Sequence, residues 1–516
     1  MTTSNLIILI TIVVYMLSTI LIGLYFSNKT KNSGDFYLGG RKLGPFVTAM
    51  SAEASDMSAY LLMGLPGLAY ISGSAEVFWT VLGLGVGTYI NWLIVAKRLR
   101  LYSNKINAIT IPDFFANRFK DKYALNLIAS IIIIVFFVPY TASGFKACGE
   151  LFNSLFGVDY HTAMIISAMV IILYTTLGGF LAASTTDFVQ GIIMTIALVS
   201  VVVFGVWSVG NINHVHAFIK DIPGYLSLNH VANFNKAGTS ATASDFGIIA
   251  IISTLAWGLG YFGMPHVLLR FMAIEKPNKL KTSRRVASIW VFISMFIALF
   301  IGLIGYAMTV ANNNPKFLGK EKSESLIIQI AHIMSSHGAL LAIVGGIVLA
   351  GILASTMSTS DSQLLAASSS VSENILEEVL NVKLDEAKKM LIARIAVIII
   401  AIVAIIIAWD KNSSIFKIVS FAWGGFGATF GPVMLASLFW KRVNKYGAIS
   451  AMLVGTVTIF IWKFAVRPLG GSLDIYELLP AFIVSGITLV VVSLLTTAPD
   501  NDIVETFEEV KILMKN

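Results

Sequence analysis

Two acidic residues, Glu53 and Asp56, lie inside an apolar stretch that is long enough to cross a membrane. The stretch runs over residues 46–71 and contains the segment SAEASDMSAYLLMGLPG at 51–67. A charged side chain at the centre of a bilayer costs at least roughly 2.5 to 3.5 kcal/mol on insertion scales. The small residues around the acids, with a glycine and a proline near the end of the segment, favour a broken helix with free backbone groups that could hold an ion.

A second set of oxygen-bearing side chains lies in ASTMSTSDSQLLAASSS at 354–370, where it closes another apolar stretch. The spacing i, i+3, i+4 and i+7 places four hydroxyls on one helical face. They belong to Ser355, Ser358, Thr359 and Ser362. Hydroxyl and carbonyl oxygens suit a hard alkali cation, whereas a divalent ion would require more carboxylates. Close helix packing, with each hydroxyl bonded to the preceding turn, is the alternative interpretation.

A second broken helix is predicted in STLAWGLGYFGMPHVLL, where three glycines precede Pro265. It begins five predicted spans after the first broken stretch, as expected when two inverted five-helix repeats each open with a discontinuous helix. A simple kink or close helix packing is the alternative. The stretch GLGYFG also matches a dinucleotide-binding pattern, but it has no preceding strand, so that function is a poor interpretation.

The composition of the whole chain indicates a membrane protein. Of 516 residues, 56% are hydrophobic and only 12% are charged, and the mean hydropathy is +0.81. A soluble domain is far less apolar. We predict an all-α polytopic membrane protein with about 13 transmembrane helices. The predicted spans are 6–26, 46–71, 77–96, 124–153, 161–179, 187–210, 245–266, 285–310, 324–357, 391–409, 414–439, 447–463 and 477–495.

The distribution of basic residues predicts the orientation in the cell membrane. The first span lacks a basic leader and a cleavage site, so we expect a retained helix with its N-terminus outside. Most of the 36 Lys and Arg residues lie in alternate loops such as RLRLYSNK and KPNKLKTSRR. The positive-inside rule places these loops, and the C-terminus, in the cytoplasm. The net charge of +8 therefore reflects orientation at an anionic inner leaflet, and nucleic-acid binding is a poor interpretation.

Several other function classes are disfavoured. His332 and His337 are five apart, which does not stack them on one helix face as a metal site would require. No pair of a nucleophile and a base stands out either, so we expect neither an enzyme nor an organic cofactor. An ion channel is disfavoured because no signature filter or charged ring is visible. A membrane-embedded solute sensor stays open as an alternative, although no signalling-domain-sized segment follows residue 495.

Several motifs in order resemble a known family. They are ASDMS with LLMGLPG, LGGFLAASTTDFVQG at 177–191, WGLGYFGMPH at 257–266 and MSTSDSQLL at 357–365. They resemble the sodium:solute symporter family, most closely the sodium/proline symporters. The resemblance implies a symporter that imports L-proline by alternating access, with Na⁺ as the coupling ion. It also implies a protein that lies in a lipid bilayer and needs no obligate protein partner. Another sodium-coupled or proton-coupled solute, such as a different amino acid, a carboxylate or a sugar, is the alternative.

The resemblance also implies the arrangement of one transporter domain, residues 1–516. Its leucine-transporter-like core contains two inverted five-helix repeats. The expected parts are an extra N-terminal helix at 6–26, the first repeat at 46–210, the second repeat at 245–439, two further helices within 447–495 and a cytoplasmic tail at 496–516.

Site residues follow from the same resemblance. The implied sodium ligands are the backbone carbonyls of Ala54, Met57 and Ser355 and the hydroxyls of Ser358 and Thr359. The implied substrate residues are Ser58, Gly64, Tyr140, Trp257, Tyr261 and Pro265. Since Trp257 and Tyr261 are four apart, they could present one aromatic face to a pyrrolidine ring, although plain helix packing is the alternative.

The remaining acids receive electrostatic roles. Asp56 adjoins two implied carbonyl ligands, so its charge can raise sodium affinity, or it can pair with a neighbouring span. Asp187 is expected on the cytoplasmic ion path, or merely at a helix N-terminus. Glu53 replaces a small residue of close relatives, and Ala59 and Tyr60 replace Gly-Trp. Glu53 and Asp361 therefore leave the coupling ion, Na⁺ or H⁺, open.

Overall fold

The first half of the chain folds almost entirely into helices. The computed structural model describes residues 2–27, 29–311, 317–319, 322–411 and 413–515. The helices up to residue 219 are α1 (Thr3–Ser27), α2 (Ser33–Leu38), α3 (Pro45–Ala59), α4 (Leu65–Ser72), α5 (Ser74–Ile90), α6 (Ala96–Lys105), α7 (Ile111–Phe119), α8 (Ala124–Phe156), α9 (Tyr160–Val209) and α10 (Ile212–Ile219).

The described residues of the second half form a hairpin and ten more α-helices. Strands β1 (His230–Phe234) and β2 (Ala241–Asp245) pair antiparallel, with His230 opposite Asp245. The helices are α11 (Ile248–Leu255), α12 (Pro265–Ala273), α13 (Leu280–Val310), α14 (Leu326–Ser335), α15 (Ala339–Ser369), α16 (Glu386–Ile407), α17 (Ile415–Phe439), α18 (Lys445–Ile461), α19 (Leu478–Leu495) and α20 (Asn501–Leu513). The hairpin joins the two predicted repeats, and we did not predict it.

Short segments of other helical types link these elements. Turns of 3₁₀-helix are Gly39–Arg41, Ala256–Phe262, Pro277–Lys279, Ser323–Ser325, Arg467–Leu469 and Gly471–Leu473. Turns of π-helix are Tyr60–Gly64, Asn91–Val95, Ser370–Val379 and Trp462–Val466. Such turns often occur where a helix is interrupted at a functional site.

The number of membrane spans differs from the predicted 13. In the part of the chain that the structure describes, ten helices are long and apolar enough to cross a membrane, or eleven if the bent pair Ile248–Phe262 and Pro265–Ala273 counts as one span. The first broken stretch forms α3, a π-turn and α4, each too short to be counted. Helix α9 runs through two predicted spans, 161–179 and 187–210, but Gly179 breaks it with a φ of 61°, which glycine adopts without strain.

The predicted span 324–357 is wrong. Its residues belong to two helices, α14 and α15, which are separated by residues 336–338. Hydropathy averaged over a window does not resolve a short polar interruption between two apolar helices. The hydroxyl run at 354–370 therefore lies in the second half of α15 and continues into a π-turn, instead of closing a span that begins at 324.

Helix α15 occupies the centre of the helix bundle. It packs against α1, α3, α8 and α9, and all of its residues from Val348 to Ser369 are buried. Small residues make this close packing possible: a Cβ atom added to Gly351 would lie 2.6 Å from the Cβ of Ala197 on α9. The buried position of α15 brings its hydroxyl face against the broken helix α3.

Candidate functional site

The first broken span bends at Ser58. This residue has a φ of 49° and a ψ of −170°, outside the helical region, and its Oγ accepts a hydrogen bond of 3.2 Å from the backbone N–H of Tyr60. Positive φ is uncommon for a residue with a side chain and is typical of functional sites. The predicted break is therefore present, but it lies at Ser58 and the π-turn Tyr60–Gly64. Pro66 instead lies in the first turn of α4, where proline is tolerated.

Four of the five predicted sodium ligands lie together where α3 meets α15. The Oγ of Ser358 is 2.8 Å from the backbone oxygen of Ala54 and 3.2 Å from that of Ser355. The Oγ1 of Thr359 is 3.1 Å from the same oxygen of Ser355. The carbonyl of the fifth residue, Met57, accepts a hydrogen bond from the N–H of Tyr60 at the break.

The chemistry of this oxygen cluster suits an alkali cation. Its members are two backbone carbonyls and two hydroxyls, all of them uncharged and all of them on buried residues. Hard cations prefer such oxygen ligands, whereas zinc and similar metals prefer nitrogen and sulfur. Across the described ranges, no group of three His, Cys, Asp or Glu side chains could hold a metal ion. We refer to Ala54, Ser355, Ser358 and Thr359 as the oxygen cluster.

Asp56 connects the two broken helices. The hydroxyl of Tyr261 donates a hydrogen bond of 2.6 Å to the Asp56 Oδ2, and the hydroxyl of Tyr140 donates one of 3.3 Å to its backbone oxygen. The Asp56 side chain is buried, and its Oδ1 has no partner within the residues that the structure describes. Asp56 follows Ala54 by two residues, so it lies in the same turn of α3 as one carbonyl of the oxygen cluster.

A small cavity lies beside Asp56. Its volume is about 10 Å³, room for about one water molecule. The lining residues are Asp56, Met57, Tyr60, Leu84, Tyr140, Trp257, Met295, Val419 and Trp423. Two predicted substrate residues, Tyr140 and Trp257, therefore line the cavity. Tyr261 does not line it but donates a hydrogen bond to Asp56, which does. Ser58, Gly64 and Pro265 do not line it.

Aromatic side chains form one wall of this cavity. The rings of Tyr60 and Trp257 stack with centroids 5.3 Å apart, and Trp257 also stacks on Tyr476 at 4.9 Å. The indole N–H of Trp423 donates a hydrogen bond of 2.8 Å to the backbone oxygen of Trp257. Phe416 lies against both Tyr60 and Trp257, at 5.6 and 5.8 Å. The wall thus combines the first broken helix, the second broken helix and α17.

The sequence does not predict that Tyr60 and Trp423 line the cavity, or that Phe416 packs against Tyr60 and Trp257. Tyr60 differs from the family pattern, which gives no indication of its contacts. For Trp423 a signal existed in the sequence FAWGGFG, which places a tryptophan among glycines inside an apolar span. Nothing local indicates that Phe416, at the start of α17, reaches the same wall.

Glu53 bonds to a different element from Asp56. Its Oε1 accepts hydrogen bonds from the indole N–H of Trp92, at 2.7 Å, and from the hydroxyl of Thr88, at 3.1 Å. Its Oε2 has no partner among the residues described, and the side chain is fully buried. Glu53 therefore joins α3 to α5 and the π-turn after it, while Asp56 joins α3 to the second broken helix.

Asp187 forms a buried ion pair. Its Oδ2 lies 3.1 Å from a guanidinium nitrogen of Arg270 and accepts a hydrogen bond of 2.6 Å from the hydroxyl of Ser51. Arg270 also donates to the hydroxyls of Ser51 and Ser362, at 3.0 and 2.5 Å. The network joins α3, α9, α12 and α15 one turn beyond the oxygen cluster.

The alternative placement of Asp187 at a helix N-terminus is wrong. It lies two turns after the break at Gly179, beyond the first turn where a helix dipole acts. Arg270 is a further functional residue that was not predicted, because the predicted span 245–266 ends before it. The apolar pattern of PHVLLRFMA continues through Arg270, and this was a signal for a buried arginine.

Asp361 lies next to this network on α15. Its Oδ2 accepts a hydrogen bond of 2.9 Å from the hydroxyl of Tyr174, and its Oδ1 accepts one of 3.0 Å from Ser362. The hydroxyl oxygen of Tyr174 also lies 3.1 Å from the backbone oxygen of Met357, so the two acceptors share one proton. Asp361 is therefore bonded on both oxygens and does not contact the oxygen cluster through any of these bonds.

Comparisons with solved structures agree with the helical architecture. A Na⁺-coupled sialic acid symporter, solved in a substrate-bound outward-open state, superposes with a TM-score of 0.77 over 96% of this chain and 99% of its own, at 19% sequence identity. MhsT in complex with L-phenylalanine superposes with a TM-score of 0.54 over 88% of this chain and 98% of its own, at 13% identity. These neighbours support the predicted leucine-transporter-like fold.

Sequence comparisons are more specific. The high-affinity proline transporter PutP of Bacillus subtilis is 42% identical over 492 residues, which are 95% of this chain and 98% of that protein. The sodium/proline symporter of Salmonella typhimurium is 40% identical over 503 residues, which are 97% and 95% of the two chains. The model of the sodium:solute symporter family matches residues 36–455. The chain belongs to the sodium:solute symporter family, because the family model and these relatives match most of its length.

Proposed function

We propose that the chain is a secondary active symporter that imports L-proline together with Na⁺ by alternating access. One observation carries this proposal: Asp56 joins the two broken helices between an uncharged oxygen cluster on one side and an aromatic cavity on the other. The relatives named as proline transporters align over nearly the whole chain. Discontinuous helices at mid-membrane build substrate and ion sites in many transporters.

Sodium is assigned to the oxygen cluster. Ala54 and Ser355 would supply carbonyl oxygens and Ser358 and Thr359 hydroxyl oxygens, and the broken turn would bring the carbonyl of Met57 to the same ion. Asp56 would favour the cation through its charge. We assign Asp187, with its partner Arg270, to the path that the ion follows after it leaves the cluster.

Proline is assigned to the aromatic cavity. Its carboxylate would meet backbone N–H groups that are freed at the break near Ser58 and Gly64, because helix N-termini attract anions. Its ring would lie against Tyr140, Trp257 and Tyr60, with Tyr261 and Pro265 on the second broken helix. Since the cavity has room for about one water molecule, it must widen to admit proline. Such a closed pocket is one of the states that alternating access requires.

The protein is assigned to the cell membrane with its N-terminus outside and its C-terminus in the cytoplasm. This orientation places the long basic loops, including the one after α12, at the inner surface. A cysteine introduced before α1 would then react with a membrane-impermeant maleimide on intact cells. One introduced after α20 would react only after permeabilisation.

Uptake by the purified protein in liposomes tests the function. An inward Na⁺ gradient should drive accumulation of labelled L-proline, and an equal gradient of K⁺ should not. Unlabelled L-proline should compete far better than glucose or pantothenate, because the cavity is small and aromatic and offers few amide partners for sugar hydroxyls. Competition by a sugar but not by proline would contradict the substrate, and accumulation driven by H⁺ alone would contradict the coupling ion.

A further inference from the structure

A second cavity lies far from the substrate site, where α20 packs near α6 and α7. Its volume is about 400 Å³. The polar part of its lining consists of Tyr102, Asn117, Arg118, Lys120, Lys122 and Thr506. Three of these six side chains are cations. We refer to this cavity as the basic pocket.

The arginine of the basic pocket is buried without a counter-ion. Arg118 is 1% exposed, and its Nε donates a hydrogen bond of 3.1 Å to the backbone oxygen of Ser437. Its other two nitrogens have no hydrogen-bond partner, and no carboxylate pairs with it, in the part of the chain that the structure describes. A buried charge without a partner is strongly unfavourable. The free guanidinium edge therefore indicates a site that an anion completes.

The surroundings of Arg118 hold it in place but do not neutralise it. Its guanidinium carbon lies 5.5, 5.1 and 5.5 Å from the ring centres of Tyr102, Phe119 and Phe507. Arg98 also lies over the ring of Phe507, at 4.9 Å. Because one of these rings belongs to α20, the C-terminal helix forms part of the arginine's environment.

Two acids near the basic pocket pair with its lysines. Lys120 bonds to Asp502 of α20, and Lys122 lies 3.0 Å from Glu378. These two pairs are partly exposed, so each lysine keeps free N–H donors that could turn to a ligand. Of the three cations in the lining, Arg118 alone has no ion-pair partner among the described residues.

We propose that the basic pocket binds a phosphate group, which α20 helps to enclose. The two terminal nitrogens of Arg118 have no partner and form a fork that matches two phosphate oxygens, and lysine ammoniums provide further charge-assisted bonds. Both nitrogens are covered in this structure, so α20 would have to move away from Arg118 to admit the phosphate and would then enclose it. Ile106 and Ile503 supply apolar walls for an attached group. The pocket lies at the end of the candidate span Ser74–Lys105, so the phosphate can belong to an anionic phospholipid headgroup or to a soluble ion.

The experiment uses the purified full-length protein and two probes that separate these sources. In detergent, thermal unfolding is followed during a titration with inorganic phosphate, against sodium chloride of equal ionic strength. In parallel, the protein is equilibrated with vesicles of phosphatidylglycerol or phosphatidylcholine, extracted, and its bound lipid is counted by native mass spectrometry. Stabilisation by phosphate supports a soluble ligand, and selective retention of phosphatidylglycerol supports a lipid.

Matched variants decide whether either ligand occupies the basic pocket. Arg118→Gln should weaken binding at least about tenfold, the loss expected when a charge-assisted pair is removed. Lys120→Gln, a partly exposed position, should weaken it by a smaller factor and serves if Arg118→Gln does not fold. Lys105→Gln is the control, because it removes a cation that pairs with Glu509 of α20, at 2.9 Å, outside the pocket lining.

Two results would overturn the proposal. In the first, the wild-type protein and the Lys120→Gln variant bind inorganic phosphate equally weakly, and they also bind phosphatidylglycerol equally weakly. The other is an equal loss of binding in Lys105→Gln and Lys120→Gln, which would indicate a diffuse surface charge effect. Binding that weakens in Lys120→Gln but stays normal in Lys105→Gln supports the pocket.

Discussion

The hydroxyl of Ser358 on α15 donates a hydrogen bond of 2.8 Å to the backbone oxygen of Ala54 on α3, although the two residues are 304 positions apart in the chain. Ala54 lies in the last turn before the break at Ser58. The backbone carbonyls of a last turn lack N–H donors from their own helix, so they are available to a partner on another helix. A cation placed between these oxygens would be held by both helices at once. Its binding would therefore link the central helix to the broken one.

Removing either hydroxyl of the oxygen cluster should weaken sodium binding. Ser358→Ala and Thr359→Ala each delete one oxygen from a desolvated cation, at a cost of roughly 1 to 3 kcal/mol. The sodium concentration for half-maximal proline uptake should rise by about one to two orders of magnitude. Coupling between two ligands is reciprocal, so the apparent proline affinity at low sodium should fall and should recover at saturating sodium.

The control for these variants is Ser370→Ala. Ser370 lies at the end of the same hydroxyl run, and its Oγ donates only to the backbone oxygen of Ala366, at 3.0 Å. A packing defect would lower the maximal rate without rescue by sodium. Normal sodium dependence in both Ser358→Ala and Thr359→Ala, at normal membrane levels, would assign these hydroxyls to helix packing alone.

Tyr261→Phe should impair proline binding more than it impairs folding. The change removes the 2.6 Å hydrogen bond to the Asp56 Oδ2 and leaves that buried carboxylate without a described partner. Loss of a hydrogen bond to a charged group costs about 1.5 to 3 kcal/mol, so we expect proline affinity to fall by about tenfold or more. Proline-dependent uptake at saturating sodium measures this effect.

Tyr476→Phe provides the matched control for Tyr261→Phe. Tyr476 is also buried against the aromatic wall, but its hydroxyl donates to the backbone oxygen of Ser420, at 2.6 Å, and not to Asp56. If both variants reduce proline affinity equally, the hydroxyl of Tyr261 has no special role at the junction of the two broken helices.

Breaking the Asp187 and Arg270 pair should destabilise the protein strongly. Arg270→Met leaves the Asp187 carboxylate, which is fully buried, without its cation, at a cost of about 3 to 5 kcal/mol. Combining it with Asp187→Leu removes the second charge and should restore much of the stability, but not the uptake. Thermal unfolding in detergent measures the first effect and proteoliposome uptake the second.

Lys279→Gln is the comparison for the buried pair. It breaks an exposed pair with Glu275, and because solvent screens such a pair we expect almost no change in the thermal unfolding temperature. A double variant at positions 187 and 270 that is no more stable than Arg270→Met would show that the cost arises from packing and not from the uncompensated charge.

Glu53→Gln should keep most of the sodium-driven uptake. The glutamine retains an oxygen that can accept from Trp92 and Thr88, and the Glu53 side chain lies outside the oxygen cluster. Glu53→Ala removes that acceptor and should cost roughly 1 to 3 kcal/mol of stability for each donor left unpaired. Loss of all uptake in a stable Glu53→Gln variant would show that the carboxylate itself takes part in ion coupling.

Transport should depend on membrane potential. Moving one sodium ion with a net-neutral zwitterion carries one positive charge inward, which is worth roughly 2.3 kcal/mol per 100 mV. A potassium diffusion potential, inside negative, should therefore accelerate proline uptake at limiting sodium. The same liposomes without the potential gradient are the control, and equal rates would contradict one-to-one coupling.

Local patterns in the chain were enough to predict much of the architecture. Apolar runs located most of the spans because each must match the thickness of a bilayer, and clusters of glycine and proline marked the two stretches that contain the broken helices, although the first break lies at Ser58. The i, i+3, i+4 and i+7 spacing predicted the hydroxyl face of α15, since helical periodicity depends only on neighbouring residues. Family motifs predicted sodium ligands at Ala54, Met57, Ser355, Ser358 and Thr359, and the structure brings all of these but Met57 together.

Only the tertiary structure decided which distant side chains meet. The partner of Asp187 is Arg270, 83 residues away, and the partner of Asp56 is Tyr261, 205 residues away. No local rule predicts such contacts, because they depend on how whole helices pack. The division of 324–357 into two helices was hidden for a related reason: hydropathy averages over a window, whereas a helix ends where individual backbone hydrogen bonds end.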